Sequence, residues 1–109
     1  SGEVVLGEGV SYAFPKNTEF STTLNIKNEA GTILDFYYGT LTATFKKTFS
    51  SDTLHPISVA YDYGTKDITL SVLAATTSTL TNGIYIFDIY YDDGTSITGV
   101  LQGTFNITG

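Results

Sequence analysis

The sequence predicts an all-β fold, an immunoglobulin-like antiparallel β-sandwich of about seven strands, and three observations carry that expectation. Apolar and polar residues alternate with period two over several separate stretches, as on a sheet with one buried and one wet face. Thr, Tyr and Phe suit a pleated, half-buried surface, and the chain has eight Tyr and seven Phe in 109 residues. Turn signals built on Gly, Asn and Asp separate the stretches at short intervals. A small closed barrel shares this pattern and stays open as the alternative architecture.

Ser1-Gly2 at the front reads as an added remnant or the end of a cut fragment, so residues 3–109 are expected to form one domain. Val4-Val5-Leu6 and Val10 to Phe14 supply two short N-terminal strands. In Phe20 to Lys27, Phe20, Leu24 and Ile26 share one face, and Ser21, Thr23, Asn25 and Lys27 the other. Asn28-Glu29-Ala30-Gly31 then reads as a turn, with Gly31 free to take positive φ. Leu41 to Phe49 alternates again, with Leu41, Ala43 and Phe45 inward. Ile57 to Tyr61 and Asp67 to Leu73 flank Asp62 to Lys66, a hairpin connection. Ile84 to Tyr91 is the most apolar strand, with Tyr85, Phe87 and Ile89 inward; Asp92-Asp93-Gly94 turns it into a last strand from about Ser96 to Ile107.

Ala74 to Leu80 is the one stretch that suits a helical turn, and it leads into Leu80-Thr-Asn-Gly83-Ile-Tyr85. That spacing resembles a tyrosine corner, in which a Tyr at the start of the penultimate strand packs inward while its hydroxyl bonds the backbone of the preceding corner.

Composition narrows function. The net charge is −6, with five basic residues that are all Lys. Without Arg or a basic face, nucleic acid is not an expected partner. No apolar run is long enough for a membrane helix, and no membrane partner is expected. Cys is absent, so neither a disulfide nor a thiolate metal site is expected.

No catalytic residue, cofactor site or metal site emerges. His55, the only histidine, precedes Pro56 in an expected loop; Ser50, Ser51 and Asp52 are near in sequence, which does not make a triad. Asp88, Asp92 and Asp93 are the densest carboxylates, yet a hairpin turn accounts for them and the register of an EF-hand loop is missing. The remaining acids give no reason to choose a glycosidase pair, no Gly-rich phosphate loop occurs, and Asn106-Ile-Thr108 is a sequon of no weight by itself.

Two surfaces stand out instead. Tyr37, Tyr38, Tyr61 and Tyr63 fall in or beside connections, where tyrosine offers adaptable contact area for a sugar or a protein, against the plainer reading of cross-strand packing. With Tyr85, Phe87 and Ile89 inward, Ile86 and Tyr90 face outward with Val100 beside them, a stripe more apolar than a free surface needs. Self-association or another protein partner is expected there.

From Val10 to the end the chain resembles the Ig-like N-terminal domain of phage baseplate upper proteins and small tailed-phage virion proteins. The resembling residues are Phe20 to Lys27, Asn28-Glu-Ala-Gly31, Asp35, the strand from Leu41 through Lys46-Lys47, Asp67 to Leu73, Leu80-Thr-Asn-Gly-Ile-Tyr85, Ile86-Phe-Asp88, Asp93-Gly94 and Leu101-Gln-Gly103. Lys16-Asn17-Thr18-Glu19 stands where the family usually has Gly-Asp, and Glu3 to Gly9 has no counterpart. The resemblance implies a non-enzymatic structural part of a virion, in tail, baseplate or fibre docking, with other virion proteins as partners. The alternative is a carbohydrate-binding or adhesin module of a bacterial surface, binding host-surface glycan weakly; a small hydrolase is the remaining class.

Overall fold

The computed structural model describes residues 2–47 and 53–109. The fold is all-β: β1 (Gly2–Val5), β2 (Gly9–Pro15), β3 (Phe20–Lys27), β4 (Thr40–Lys46), β5 (His55–Tyr61), β6 (Ile68–Val72), the helical turn α1 (Ala74–Thr77), β7 (Gly83–Asp92) and β8 (Ile97–Thr108). These eight strands, where about seven were expected, form one continuous sheet in the order β1-β3-β6-β5-β4-β7-β8-β2. The sheet curls until it is nearly closed, and β5 makes it continuous by changing partner midway. His55, Pro56 and Ile57 pair with β4, whereas Ser58 to Tyr61 pair with β6.

The N-terminal segment supplies both edges of the sheet. β1 runs parallel to β3 at one edge of the sheet, and β2 runs parallel to β8 at the other. Leu6–Glu8 joins them, with the Glu8 amide donating to the Val5 carbonyl at 3.0 Å and Gly7 at φ 87°. The two edges are thus covalently tied. Gly2 belongs to β1, opposite Leu24, although the sequence reading set it outside the fold.

Alternation holds where it was expected. Leu24, Phe45, Leu70, Tyr85, Phe87 and Phe105 are all buried. Phe105 sits at the centre, its ring centroid 4.6 Å from Phe87, 5.0 Å from Phe20 and 5.4 Å from Phe45. Each such side chain removed from water contributes about 1.5–3 kcal/mol before entropy is counted. α1 is too short to stand on propensity. It is anchored by the fully buried Thr77, whose hydroxyl donates to the Thr18 carbonyl at 2.9 Å. Just after it the tyrosine corner forms: the Tyr85 hydroxyl donates to the Thr81 carbonyl at 2.8 Å.

His55 is not in a loop. It opens β5, and its ring lies 4.9 Å from Phe45 and 6.4 Å from Tyr85. Pro56 misleads in sequence because proline is tolerated near the start of a strand, where it pairs here with Thr44. Ser50, Ser51 and Asp52 lie outside the described residues, as does the end of the strand expected to reach Phe49.

Candidate functional site

The β3–β4 connection builds one end of the molecule. It leaves β3 through a turn in which Thr32 and Asn28 bond each other and Gly31 takes φ 90°. The Leu34 amide then returns to the Ile26 carbonyl at 2.7 Å, so the loop starts from a fixed point. Phe36 anchors it next: buried, with its ring edge-on to Tyr61 at 5.9 Å and to Tyr91 at 5.0 Å. Gly39 lets the returning chain lie flat on β7, since a Cβ there would meet Tyr91 Cε1 at 2.7 Å as well as the Asp92 carbonyl.

Asp35 and Tyr61 lock this loop. The Phe36 amide donates to the Tyr61 phenol oxygen at 3.0 Å, the Tyr61 hydroxyl donates to Asp35 Oδ1 at 3.2 Å, and Asp35 Oδ1 also accepts the Tyr37 amide at 3.0 Å. Burial lifts the Tyr61 phenol above its ordinary pKa and the adjacent Asp35 carboxylate adds to it, with the Phe36 amide pulling the other way.

With the loop so held, the four tyrosines singled out in the sequence meet. Tyr37 lies 4.9 Å from Tyr38 and 5.2 Å from Tyr63, which lies 5.2 Å from Tyr61, all edge to face. Tyr63 rides on the β5–β6 turn, where Asp62 Oδ1 accepts the Gly64 and Thr65 amides at 2.8 and 3.2 Å. Tyr61 is the half-buried base of the cluster, whereas Tyr37, Tyr38 and Tyr63 are 56%, 85% and 59% exposed. A hollow of about 200 Å³ opens beside Tyr61 and Tyr63. Chemically this is an apolar, hydroxyl-edged contact surface with carboxylates beside it. Phe36, which anchors it, was missed in sequence, and Asp35 entered only through the resemblance; an apolar Phe between Asp35 and two loop tyrosines was the available signal.

The second surface divides. Ile86 and Tyr90 do face outward from β7, Ile86 half-buried between Lys46 and Thr104, and Tyr90 between Thr42 and Gly99. Asp88 interrupts them, its Oδ1 accepting from the Gln102 side-chain Nε2 at 3.0 Å. Burial, with Asp88 second, raises the Tyr90 phenol pKa. Val100 corrects the expectation: it is 6% exposed and does not share that face. A β-bulge is the reason. Ile89 opposes Leu101 and Tyr90 opposes Gly99, so Val100 is the extra residue and the facing of the strand flips there.

The three aspartates do not converge. Asp92 Oδ1 accepts the Gly94 amide at 2.9 Å, and Asp93 Oδ1 accepts Thr95 and Ser96 at 2.8 and 2.9 Å. Those two amides hold the Asp93 carboxyl below its ordinary pKa.

No protein-family model matches the chain, and no curated protein sequence does. Among solved structures, the N-terminal domain of phage TP901-1 ORF48 is similar over 100% of both chains, with a TM-score of 0.57 and 9% identity. Listeria monocytogenes InlP aligns with 97% of this chain and 26% of its own, at TM-score 0.46 and 14% identity.

Proposed function

We propose that this chain is a non-enzymatic attachment domain of a tailed-phage virion, joining tail, baseplate or fibre components through surface contacts. The observation that carries this reading is the fold likeness to a phage protein's N-terminal domain, which covers both chains from end to end. The order of short motifs that resembles baseplate upper proteins points the same way. An Ig-like sandwich is the finer description of the fold: β1-β3-β6-β5 and β4-β7-β8-β2 would be its two layers, and the Tyr85 corner supports it. The test is mass spectrometry of gradient-purified particles from the source. The chain is expected at a fixed ratio to tail proteins, and its absence from particles would reject the proposal.

The exposed tyrosine cluster favours a second reading, a glycan-binding module of a bacterial surface. Tyr37, Tyr38 and Tyr63 would stack on the apolar face of a sugar ring, with Asp35 or Asp62 accepting its hydroxyls. Titration of the labelled protein with a panel of host cell-wall oligosaccharides checks it. Saturable shifts at those three tyrosines would favour this reading, and none at all would remove it.

A further inference from the structure

The lane beside β8 is only half filled. β2 pairs with β8 from Gly9 opposite Gln102 to Pro15 opposite Thr108, and no described strand pairs with Ile97–Leu101 on the side away from β7. In the β7–β8 hairpin the Asp93 amide bonds the Ser96 carbonyl at 3.2 Å. The alternation of an antiparallel ladder then turns the Gly99 amide and carbonyl toward the vacant lane.

Thr98 to Gln102 of that lane line a cleft of about 650 Å³. The bulge that flips Val100 inward makes one wall, with Leu101, and Leu34 and Tyr91 continue it. Leu6, 42% exposed in the turn between β1 and β2, also lines the cleft. The charged groups in its lining are carboxylates, Glu8 and Asp88, with no Lys among them. Glu8 stands where β2 enters the lane, and Asp88 neighbours Gln102 where β2 stops covering β8.

From these features we infer that the cleft receives an extended segment of a partner polypeptide in which apolar residues alternate with Lys or Arg. The segment adds as a strand along Ile97–Leu101, in line with β2. Its apolar side chains enter the cleft against Val100, Leu34 and Leu6, and the alternate basic side chains reach Glu8 and Asp88. Charge argues against a second copy as occupant, since it brings the same net −6 to an acidic rim. The inference deepens the attachment reading by naming the contact and the chemistry of the partner.

The probe is a blocked heptapeptide of alternating Lys and Val, titrated into the isotopically labelled full chain and followed by amide chemical shifts and hydrogen exchange. Saturable shifts confined to Leu6–Gly9 and Ile97–Gln102, protection of the Gly99 amide, and weakening with salt are expected. The Glu8→Lys variant should bind it several-fold more weakly, and Gly99→Pro should lose it while keeping the dispersed spectrum of the folded chain, proline being tolerated at a strand edge. No binding, shifts centred on the tyrosine cluster, or equal binding of a Glu-Val peptide would each overturn the inference. So would concentration-dependent self-association with shifts at Ile97–Leu101, which would assign the lane to a second copy. Because the measurement uses the isolated chain, a silent cleft leaves the particle test intact, and absence from particles leaves the cleft result intact.

Discussion

Replacing Tyr85 by Phe isolates the hydroxyl's hydrogen bonds from everything else the ring does. The ring is 3% exposed, packs edge-on to Phe45 at 5.7 Å and carries Lys47 Nζ 4.6 Å above it; all of that survives in Phe. What disappears is the hydroxyl, which donates to the Thr81 carbonyl 2.8 Å away and lies 3.3 Å from Thr81 Oγ1. Thr81 is exposed, so water can approach the freed carbonyl. The loss therefore falls near the ordinary net value of a hydrogen bond, about 1 kcal/mol, and below the cost of a sealed orphan group. In a domain of this size that lowers Tm by about 5 °C. Tyr85→Ala removes the ring as well and should cost about 3–5 kcal/mol. Urea unfolding of both variants with the parent measures the difference, with unchanged slope as the condition for comparing midpoints. A Tyr85→Phe variant as stable as the parent would refute the claim that the hydroxyl fixes the corner between α1 and β7.

Gly103 should tolerate a methyl group poorly, because a Cβ there would meet Phe87 Cε2 at 2.5 Å and collide with the Val10 carbonyl. Gly103→Ala is expected to cost about 1–3 kcal/mol in urea unfolding, against near neutrality for Gly9→Ala, which has open space around it. Alkali should destabilise the fold. Burial raises the phenols of Tyr12, Tyr61 and Tyr90 above 10.0, so the folded state holds protons that the unfolded chain releases. Their stabilising contribution is fully present below 10.0 and is lost as pH climbs through the raised values; thermal unfolding across that range should show a falling Tm, and a flat one would contradict the raised phenols.

What the sequence made legible is what period two encodes. Phe20, Leu24 and Ile26, or Tyr85, Phe87 and Ile89, declare their face locally, because each burial decision is made every second residue. The turns at Gly31 and Gly94 were legible for the same local reason, a conformation that few residues adopt. Val100 was not, since one inserted residue reverses the facing without leaving a mark in composition. Nor was the exchange of edges by β1 and β2, since partner choice between distant strands depends on closure of the whole sheet. The tyrosine cluster lies between these cases. Its four members could be named from sequence, but their meeting depends on Phe36 being buried and on the bond between Tyr61 and Asp35.

On the proposed reading the molecule is a contact module whose half-open β8 lane takes a strand from its neighbour. Cryo-electron microscopy of purified particles, at a resolution that traces strands, tests this most directly. The domain should be found in tail-associated density with an extended segment of another chain lying along Ile97–Leu101 and side chains entering beside Val100. Particles in which that lane faces solvent, or in which the domain is nowhere present, would contradict it.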